Sequence, residues 1–170
     1  MMKLAACALL ILLGSGGGVF LSRRYQSRVR QLTKCDGFLN RLQTYLSMEK
    51  ITTRELFERL SESENFSELT FLKKTADGLA GDVHFPAVWK KSLEESRMEL
   101  ALTGEDYRPL YALGELIGAY DAQSQQQGID ATRALLLEQL ADAQEKSRKN
   151  GRLFRSLGIL SGIAAAILII

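Results

Sequence analysis

YQSRVRQLTKCDGFLNRLQTYL, residues 25–46, is the stretch that decides the fold. Its apolar positions follow one another in steps of three and four residues: Tyr25, Val29, Leu32, Cys35, Leu39, Leu42 and Leu46. A mean spacing of 3.5 residues is typical of a helix that packs along other helices. Gly37 lies inside this pattern and costs a helix about 1 kcal/mol relative to alanine. The stretch predicts a long helix within a helical bundle.

An uncharged apolar segment, residues 4–21, precedes this helix. As a helix it would be about 27 Å long, close to the thickness of the membrane hydrocarbon. Lys3 alone precedes the segment, whereas Arg23, Arg24, Arg28 and Arg30 follow it. By the positive-inside rule this asymmetry places the N-terminus outside and the following domain in the cytoplasm. A cleaved signal peptide is the alternative, but charge after the apolar run favours a retained transmembrane helix.

The other end of the chain mirrors the first. Residues 156–170 carry no charge and follow a basic cluster that includes Arg152 and Arg155. A helix of this length would reach about 22 Å, which is short for a full span. Arginines at its edge can extend to the headgroups. The segment is predicted to be a transmembrane or membrane-anchoring helix; a helix that enters one leaflet, or docks on a partner in the membrane, is the alternative.

Residues 22–152 show helical patterns and no alternating strand pattern. Thr52 and Glu55 form a capping box that starts a second helix. A fourth helix starts at Pro86, and its predicted face is Val88, Trp89, Leu93, Met98 and Leu100. Residues 103–109 predict an interruption before a fifth helix, and a last helix starts near Asp121. The predicted fold is all-α, an antiparallel bundle of about six helices flanked by N- and C-terminal membrane helices.

Charge is distributed unevenly along the chain. Residues 51–145 hold 9 Lys/Arg against 18 Asp/Glu, a balance of −9, within a total of +2. The basic residues lie beside the apolar ends, where they meet anionic lipid headgroups. An acidic body argues against nucleic-acid binding. It favours a basic partner surface and binding that is sensitive to salt.

The sequence lacks the usual motifs of catalysis. It has no phosphate-binding glycine loop, and one histidine, His84, argues against a zinc site or a histidine-based nucleophile. Carboxylates such as Glu94 and Asp121 are predicted to lie on solvated helix faces. Cys7 and Cys35 are predicted to be apolar fillers rather than a disulfide. We therefore expect no enzyme activity, no cofactor and no metal.

Several segments resemble the stage III sporulation protein AB family of endospore-forming bacteria. They are LGELIGAYD (113–121) with Gln125, RLFRSLGILSG (152–162), TRELFERL (53–60) and FPAVWK (85–90). Tyr120, Asp121 and Gln125 match the family pattern as an interface or structural motif. The resemblance implies a non-enzymatic component of the sporulation channel complex that connects mother cell and forespore.

The same resemblance implies a location and partners. The protein would lie in the mother-cell membrane facing the forespore, with most of the domain in the cytoplasm. Its soluble domain would be similar to that of the inner-membrane platform protein of type II secretion and type IV pilus systems. Implied partners are other stage III sporulation proteins, including a cytoplasmic ATPase, and membrane lipids; a homo-oligomer is an open alternative to a monomer. A membrane-attached enzyme that uses acidic residues and a lipid-binding, membrane-shaping protein stay open as other functions.

Overall fold

The computed structural model describes the backbone of residues 2–48, 51–80, 84–117 and 122–169, and the side chains of residues 20, 22–47, 51–80, 84–117, 123–150, 156 and 160. Within these residues it contains six α-helices, a 3₁₀ turn at Glu64–Phe66, and no strand. The helices are α1 (Met2–Met48), α2 (Thr53–Glu62), α3 (Thr70–Gly78), α4 (Phe85–Ser96), α5 (Gly104–Leu116) and α6 (Ala122–Ile169). The prediction of an all-α bundle is confirmed.

The chain forms two compact units. The terminal unit consists of Met1–Val29 and Asp142–Ile170, and the bundle unit of Arg30–Ala141. In the bundle unit, Asp36 pairs with Arg133, and Gln43, further along α1, bonds Asp130, earlier in α6. The two helices therefore run antiparallel. The bundle unit lies within the predicted domain, residues 22–152.

The first helix buries the apolar face that its heptad pattern predicts. Leu32, Cys35, Leu39 and Leu42 are inaccessible to solvent. Phe38 is equally buried although it falls outside the pattern, because its ring meets the rings of Phe66, Phe71 and Trp89 from other elements. The covered face of α1 is thus wider than a two-helix seam.

Trp89 on α4 occupies the centre of the bundle unit and is fully buried. Its ring lies 5.4–6.2 Å, centroid to centroid, from four other aromatic rings: Phe38, Phe57, Phe71 and Phe85. The indole Nε1 donates a hydrogen bond of 2.6 Å to the carbonyl of Leu110 on α5. A buried indole N–H needs such an acceptor, so this bond fixes the position of α5 relative to α4.

Two glycines allow the helices around Trp89 to approach closely. A Cβ on Gly114 would lie 2.3 Å from the Trp89 Cδ1, and a Cβ on Gly78 would lie 2.6 Å from the Val88 Cγ1. Neither distance is compatible with a side chain. The absence of a Cβ lets α5 and α3 pack on α4.

Two predictions about the α4–α5 region are wrong. Residues 103–109 do not separate the fourth and fifth helices, because α5 already begins at Gly104. Thr103 and Asp106 form a capping box at its start. The Thr103 N–H and hydroxyl donate to the Asp106 carboxylate at 2.7 and 2.8 Å. Pro109 lies inside this helix, at the loss of one backbone hydrogen bond. Met98 is not on the buried face, since α4 ends at Ser96 and Met98 is 96% exposed.

Most side chains of the two predicted membrane helices lie outside the described residues. Of segment 4–21 the structure describes the side chain of Phe20, and of segment 156–170 those of Ser156 and Leu160. Among the described residues, no helix has the length and apolar character needed to cross a membrane. Helix α1 runs without a break through segment 4–21, and α6 runs through segment 156–170 as far as Ile169.

We predict opposite effects for alanine at two helical glycines. Gly114→Ala should lower the free energy of unfolding by about 1–3 kcal/mol, because the new methyl group clashes with Trp89. Gly37→Ala is the matched control: its Cβ would lie 3.5 Å from the Phe66 ring, an ordinary contact, so the helix gains up to about 1 kcal/mol. Denaturant unfolding followed by the fluorescence of Trp89, the only tryptophan, measures both. Equal effects of the two changes would contradict the close packing.

Candidate interaction surfaces

The described residues of segment 113–121 pack α5 against its neighbouring helices. Leu113 and Ile117 are buried, and Gly114 accommodates Trp89. Leu116 reaches α6, where a Cβ on Gly128 would lie 2.5 Å from its Cδ1. These residues tie α5 to α4 and α6, which is a structural role. Residues 120 and 121 lie outside the described residues, so the interface or structural role of Tyr120 and Asp121 stays a prediction.

Gln125, the third residue of the predicted motif, lies on α6 beside α1. It lines a narrow groove of about 40 Å³ together with Gln43 and Leu46 of α1. A volume of this size holds little more than a water molecule. Close by, the Gln43 amide donates to Asp130 at 3.0 Å. The surroundings of Gln125 are therefore a polar contact between two helices.

The predicted membrane-flanking arginines divide into two kinds. Arg23 and Arg24 are exposed. The Arg28 side chain is 9% exposed, and its Nη1 lies 3.3 Å from the Asp142 carboxylate on α6. Arg30 Nε donates to Glu68 at 2.7 Å. Arg28 therefore joins α1 to α6, and Arg30 joins α1 to the turn before α3. Arg152 and Arg155 lie outside the described side chains.

Asp142 connects α1 and α6 within the terminal unit. Its carboxylate accepts from Lys146 at 2.9 Å and from Arg28 at 3.3 Å. The hydrogen bond from Lys146 has the larger effect and that from Arg28 the smaller, and together they lower the pKa of Asp142 below its usual value. Because the pKa of Asp142 is lower in the folded than in the unfolded chain, its contacts stabilise the fold at pH values above the unfolded pKa. This stabilisation is lost as the pH falls through the folded pKa. The contact is therefore intact at neutral pH.

Carboxylates on the bundle surface are largely paired with neighbouring cations. Several pairs link residues four positions apart on one helix: Arg54–Glu58, Arg59–Glu55, Lys73–Asp77 and Lys91–Glu95. Lys74 joins α3 to Glu99, after α4, at 2.7 Å. Exposed pairs of this kind contribute little stability. They do, however, reduce the local field that the net charge of −9 suggests.

His84 and Glu94, two residues considered for chemistry in the sequence, both lie on the surface. The described residues contain no group of three His, Cys, Asp or Glu side chains placed to hold a metal ion. His84 is exposed and precedes α4. The Tyr111 hydroxyl donates to the Glu94 carboxylate at 2.5 Å and lowers its pKa. A catalytic acid requires the opposite shift, so Glu94 has the properties of a surface carboxylate.

Comparison with known proteins identifies the family. The family model described as "Stage III sporulation protein AB" matches residues 3–170. The chain belongs to this family. A relative in Bacillus subtilis (strain 168), stage III sporulation protein AB, is 24% identical over 170 residues and is matched over 99% of both chains. The resemblance inferred from the sequence is thus confirmed, and the chain is a sporulation-associated protein.

A solved structure supports the fold. A structure of stage III sporulation protein AB superposes with a TM-score of 0.65 and 23% identity, covering 71% of this chain and 96% of that chain. At this identity the likeness concerns the fold alone. The family is not a known family of enzymes.

Sequence reasoning missed two buried polar residues that this member of the family uses structurally. Asp106 is fully buried as the capping residue of α5, and Gln31 Oε1 accepts from the backbone N–H of Ala101 at 2.7 Å. The Thr103-x-x-Asp106 spacing was a signal for the first, since it has the form of a capping box. Nothing in the sequence marks Gln31, because its partner is 70 residues away.

Cys35 is a free, fully buried cysteine, as predicted for an apolar filler. Burial raises the pKa of its thiol, and the negative charges of Asp106 and Asp36 raise it further. A thiol in this state is protonated at neutral pH, and the thiolate is the reactive form. Cys7, the other cysteine, lies outside the described side chains.

We predict that Cys35 does not react with maleimide in the folded protein. In a Cys7→Ser chain at pH 8, N-ethylmaleimide should leave the thiol unmodified for hours and modify it within minutes after denaturation, as measured by intact mass. Both the burial and the raised pKa of Cys35 produce this protection. Rapid modification without denaturant would show that the bundle opens around α1.

Proposed function

We propose that this chain is a non-enzymatic membrane platform or adaptor of the sporulation channel complex that links mother cell and forespore. The observation that carries the proposal is the continuity of α1 and α6, each of which runs from a basic-flanked apolar segment into the bundle. A helix without a break couples a membrane anchor directly to a folded domain. Membership of the stage III sporulation protein AB family supplies the sporulation context.

In this proposal residues 4–21 are a transmembrane helix and residues 156–170 a transmembrane or membrane-anchoring helix. The described apolar side chains in these segments support it, since Phe20 is 70% exposed and Leu160 60% exposed. Apolar side chains on segments with no charge favour lipid over water. The exposed Arg23 and Arg24 lie where anionic headgroups would meet them.

The proposed location is the mother-cell membrane facing the forespore, with the N-terminus outside and residues 22–152 in the cytoplasm. The supporting argument is the positive-inside rule applied to the arginines after residue 21. A cytoplasmic bundle can meet the proposed partners, which are other stage III sporulation proteins and a cytoplasmic ATPase. The similarity that the sequence suggests to the platform protein of type II secretion and type IV pilus systems favours the same arrangement.

Topology can be tested with a cysteine at an exposed position after α4. In a Cys7→Ser chain, Met98→Cys should react with an impermeant maleimide in inside-out membrane vesicles, because Met98 is 96% exposed and cytoplasmic in the proposal. Met2→Cys is the control and should react only after the vesicles are opened with detergent. Cys35 is buried and does not interfere. The reverse labelling pattern, or recovery of the full chain in the soluble fraction, would overturn the proposed anchoring.

Neutralising a surface carboxylate distinguishes the proposed platform function from that of a membrane-attached enzyme. We expect Glu94→Gln to leave the number of heat-resistant spores near that of the unmodified chain, since the lowered pKa of Glu94 reflects a surface contact with Tyr111. A large loss of spores with unchanged amounts of folded protein would favour the enzyme. A lipid-binding, membrane-shaping protein would instead retain function when residues 30–141 are replaced by an unrelated bundle.

A further inference from the structure

The solvent side of α6 is apolar over about three turns in the bundle unit. Exposed side chains in this part of the helix are Ala131, Ala134, Leu135, Leu137, Glu138 and Ala141. Glu138 is the one polar residue among them. We call this surface the α6 patch. The solvent face of a helix is normally polar, so the patch departs from the pattern of a helix that packs on one side alone.

The patch has sharp limits along the helix. The exposed positions from 123 to 130 are all polar, and Gln127 and Asp130 are among them. The exposed positions from 144 to 149 are polar as well, beginning with Gln144 and Glu145. An exposed apolar surface with a polar boundary is typical of an interaction site.

The bundle itself does not use the α6 patch. The opposite side of α6 supplies the core contacts, since Ile129, Thr132 and Leu136 are at most 3% exposed. Leu135 and Leu137 are 52% and 42% exposed. Much of their apolar surface therefore still faces water, and its burial against another molecule would be favourable.

The shape of the patch suits a helix. Successive residues of an α-helix are about 100° apart around its axis, so Leu135 and Leu137 lie on opposite edges of the patch. Ala134 and Ala141 lie between them. Two leucines with alanines between them leave a shallow trough, into which a row of side chains from a second helix can pack.

Glu138 gives the patch one negative charge. The other described carboxylates of α6 each accept a hydrogen bond from a side chain: Asp130 from Gln43, Asp142 from Lys146 and Glu145 from Lys149. Within the described part of the chain Glu138 has no such bond. The residues three and four positions away are Ala134, Leu135, Ala141 and Asp142, none of which is a cation.

This charge determines which partner fits. A carboxylate that is covered by an apolar surface is costly unless a cation pairs with it. The partner must therefore place a Lys or Arg among apolar side chains. The balance of −9 over residues 51–145 attracts such a partner at longer range.

A second copy of this chain and a lipid surface both fit less well. In the proposed function α6 enters the membrane, so a two-fold axis along the membrane normal would bring two α6 helices together in parallel. Glu138 would then face Glu138 of the other copy, which is unfavourable. Anionic headgroups would also meet Glu138, and no exposed position of the patch is basic.

We propose that the α6 patch docks an amphipathic helix of a partner protein, whose apolar face packs on Leu135 and Leu137 and whose Lys or Arg pairs with Glu138. Apolar residues spaced three and four positions apart on the partner helix would occupy the trough. The inference rests on the proposed adaptor function, and it adds the surface and the chemistry of the partner.

Removing the two leucines in the full chain, in its sporulating host, tests the apolar part of the proposal. Leu135→Gln with Leu137→Gln should lower the yield of heat-resistant spores at least about tenfold, because the complex loses the burial of two leucine side chains. Met98→Gln is the matched control, since Met98 is an apolar residue outside the patch that is 96% exposed. It should leave the yield unchanged.

A measurement of stability separates docking from a structural role. The detergent-solubilised full chain with both leucine changes should unfold in denaturant at the same midpoint as the unmodified chain, as followed by the fluorescence of Trp89. The reason is that both leucines are exposed in the free protein.

Photo-cross-linking tests the charged part and identifies the occupant. Benzoylphenylalanine in place of Ala131, at the end of the patch, should form an adduct with a second protein. The cross-linked peptide should carry Lys or Arg among apolar residues at helical spacing. Glu138→Lys should abolish the adduct, and replacing the basic residue of the partner with Glu should restore it. Glu115→Lys, the same change at an exposed position of α5, is the control and should leave the adduct intact.

The proposal is overturned by a normal spore yield or a lowered unfolding midpoint of the double leucine variant. It is also overturned if the adduct forms only with a second copy or with lipid, if the peptide lacks Lys and Arg, or if Glu138→Lys leaves the adduct unchanged. If the double leucine variant sporulates normally while Met98→Cys labels as expected, the patch is not a docking site and the platform function still stands. If the labelling pattern is reversed, the platform itself fails.

Discussion

The bundle depends on how Trp89 is enclosed. Its ring contacts aromatic rings from α1, α2, α3 and the start of α4, and its N–H bonds the backbone of α5. A side chain of this size cannot be enclosed unless one neighbouring helix gives up a side chain, and Gly114 does so. Five helices therefore take their positions from one indole. The sixth helix, α6, is positioned by Leu116 of α5, which lies against Gly128 of α6.

This constraint explains part of the family pattern in physical terms. Leu113 and Gly114, the leucine and first glycine of LGELIGAYD, are needed because α5 lies directly on Trp89. Both belong to a segment that resembles the family, and their role is packing. The surfaces that interact with other molecules must therefore be sought away from the buried motif, on faces where packing imposes no residue.

Much of the fold could be predicted from the sequence because its signals are local. The heptad of α1, the cap at Thr52 and the unbroken α6 each depend on neighbouring residues. The burial of Phe38 and the exposure of Met98 could not be predicted in the same way. The first depends on rings far away in the sequence, and the second on where α4 ends. The start of α5 does have a local signal, the capping box of Thr103 and Asp106.

Electrostatics leads to the same distinction between overall composition and local structure. A balance of −9 over residues 51–145 suggests a basic partner, and at long range it does favour one. At contact distance the field depends on local pairing, and pairs such as Arg54–Glu58 and Lys73–Asp77 cancel much of the excess within one helical turn. Screening by salt further restricts distant charges to a range of about 10 Å. A docked segment therefore experiences mainly the residues that line its site.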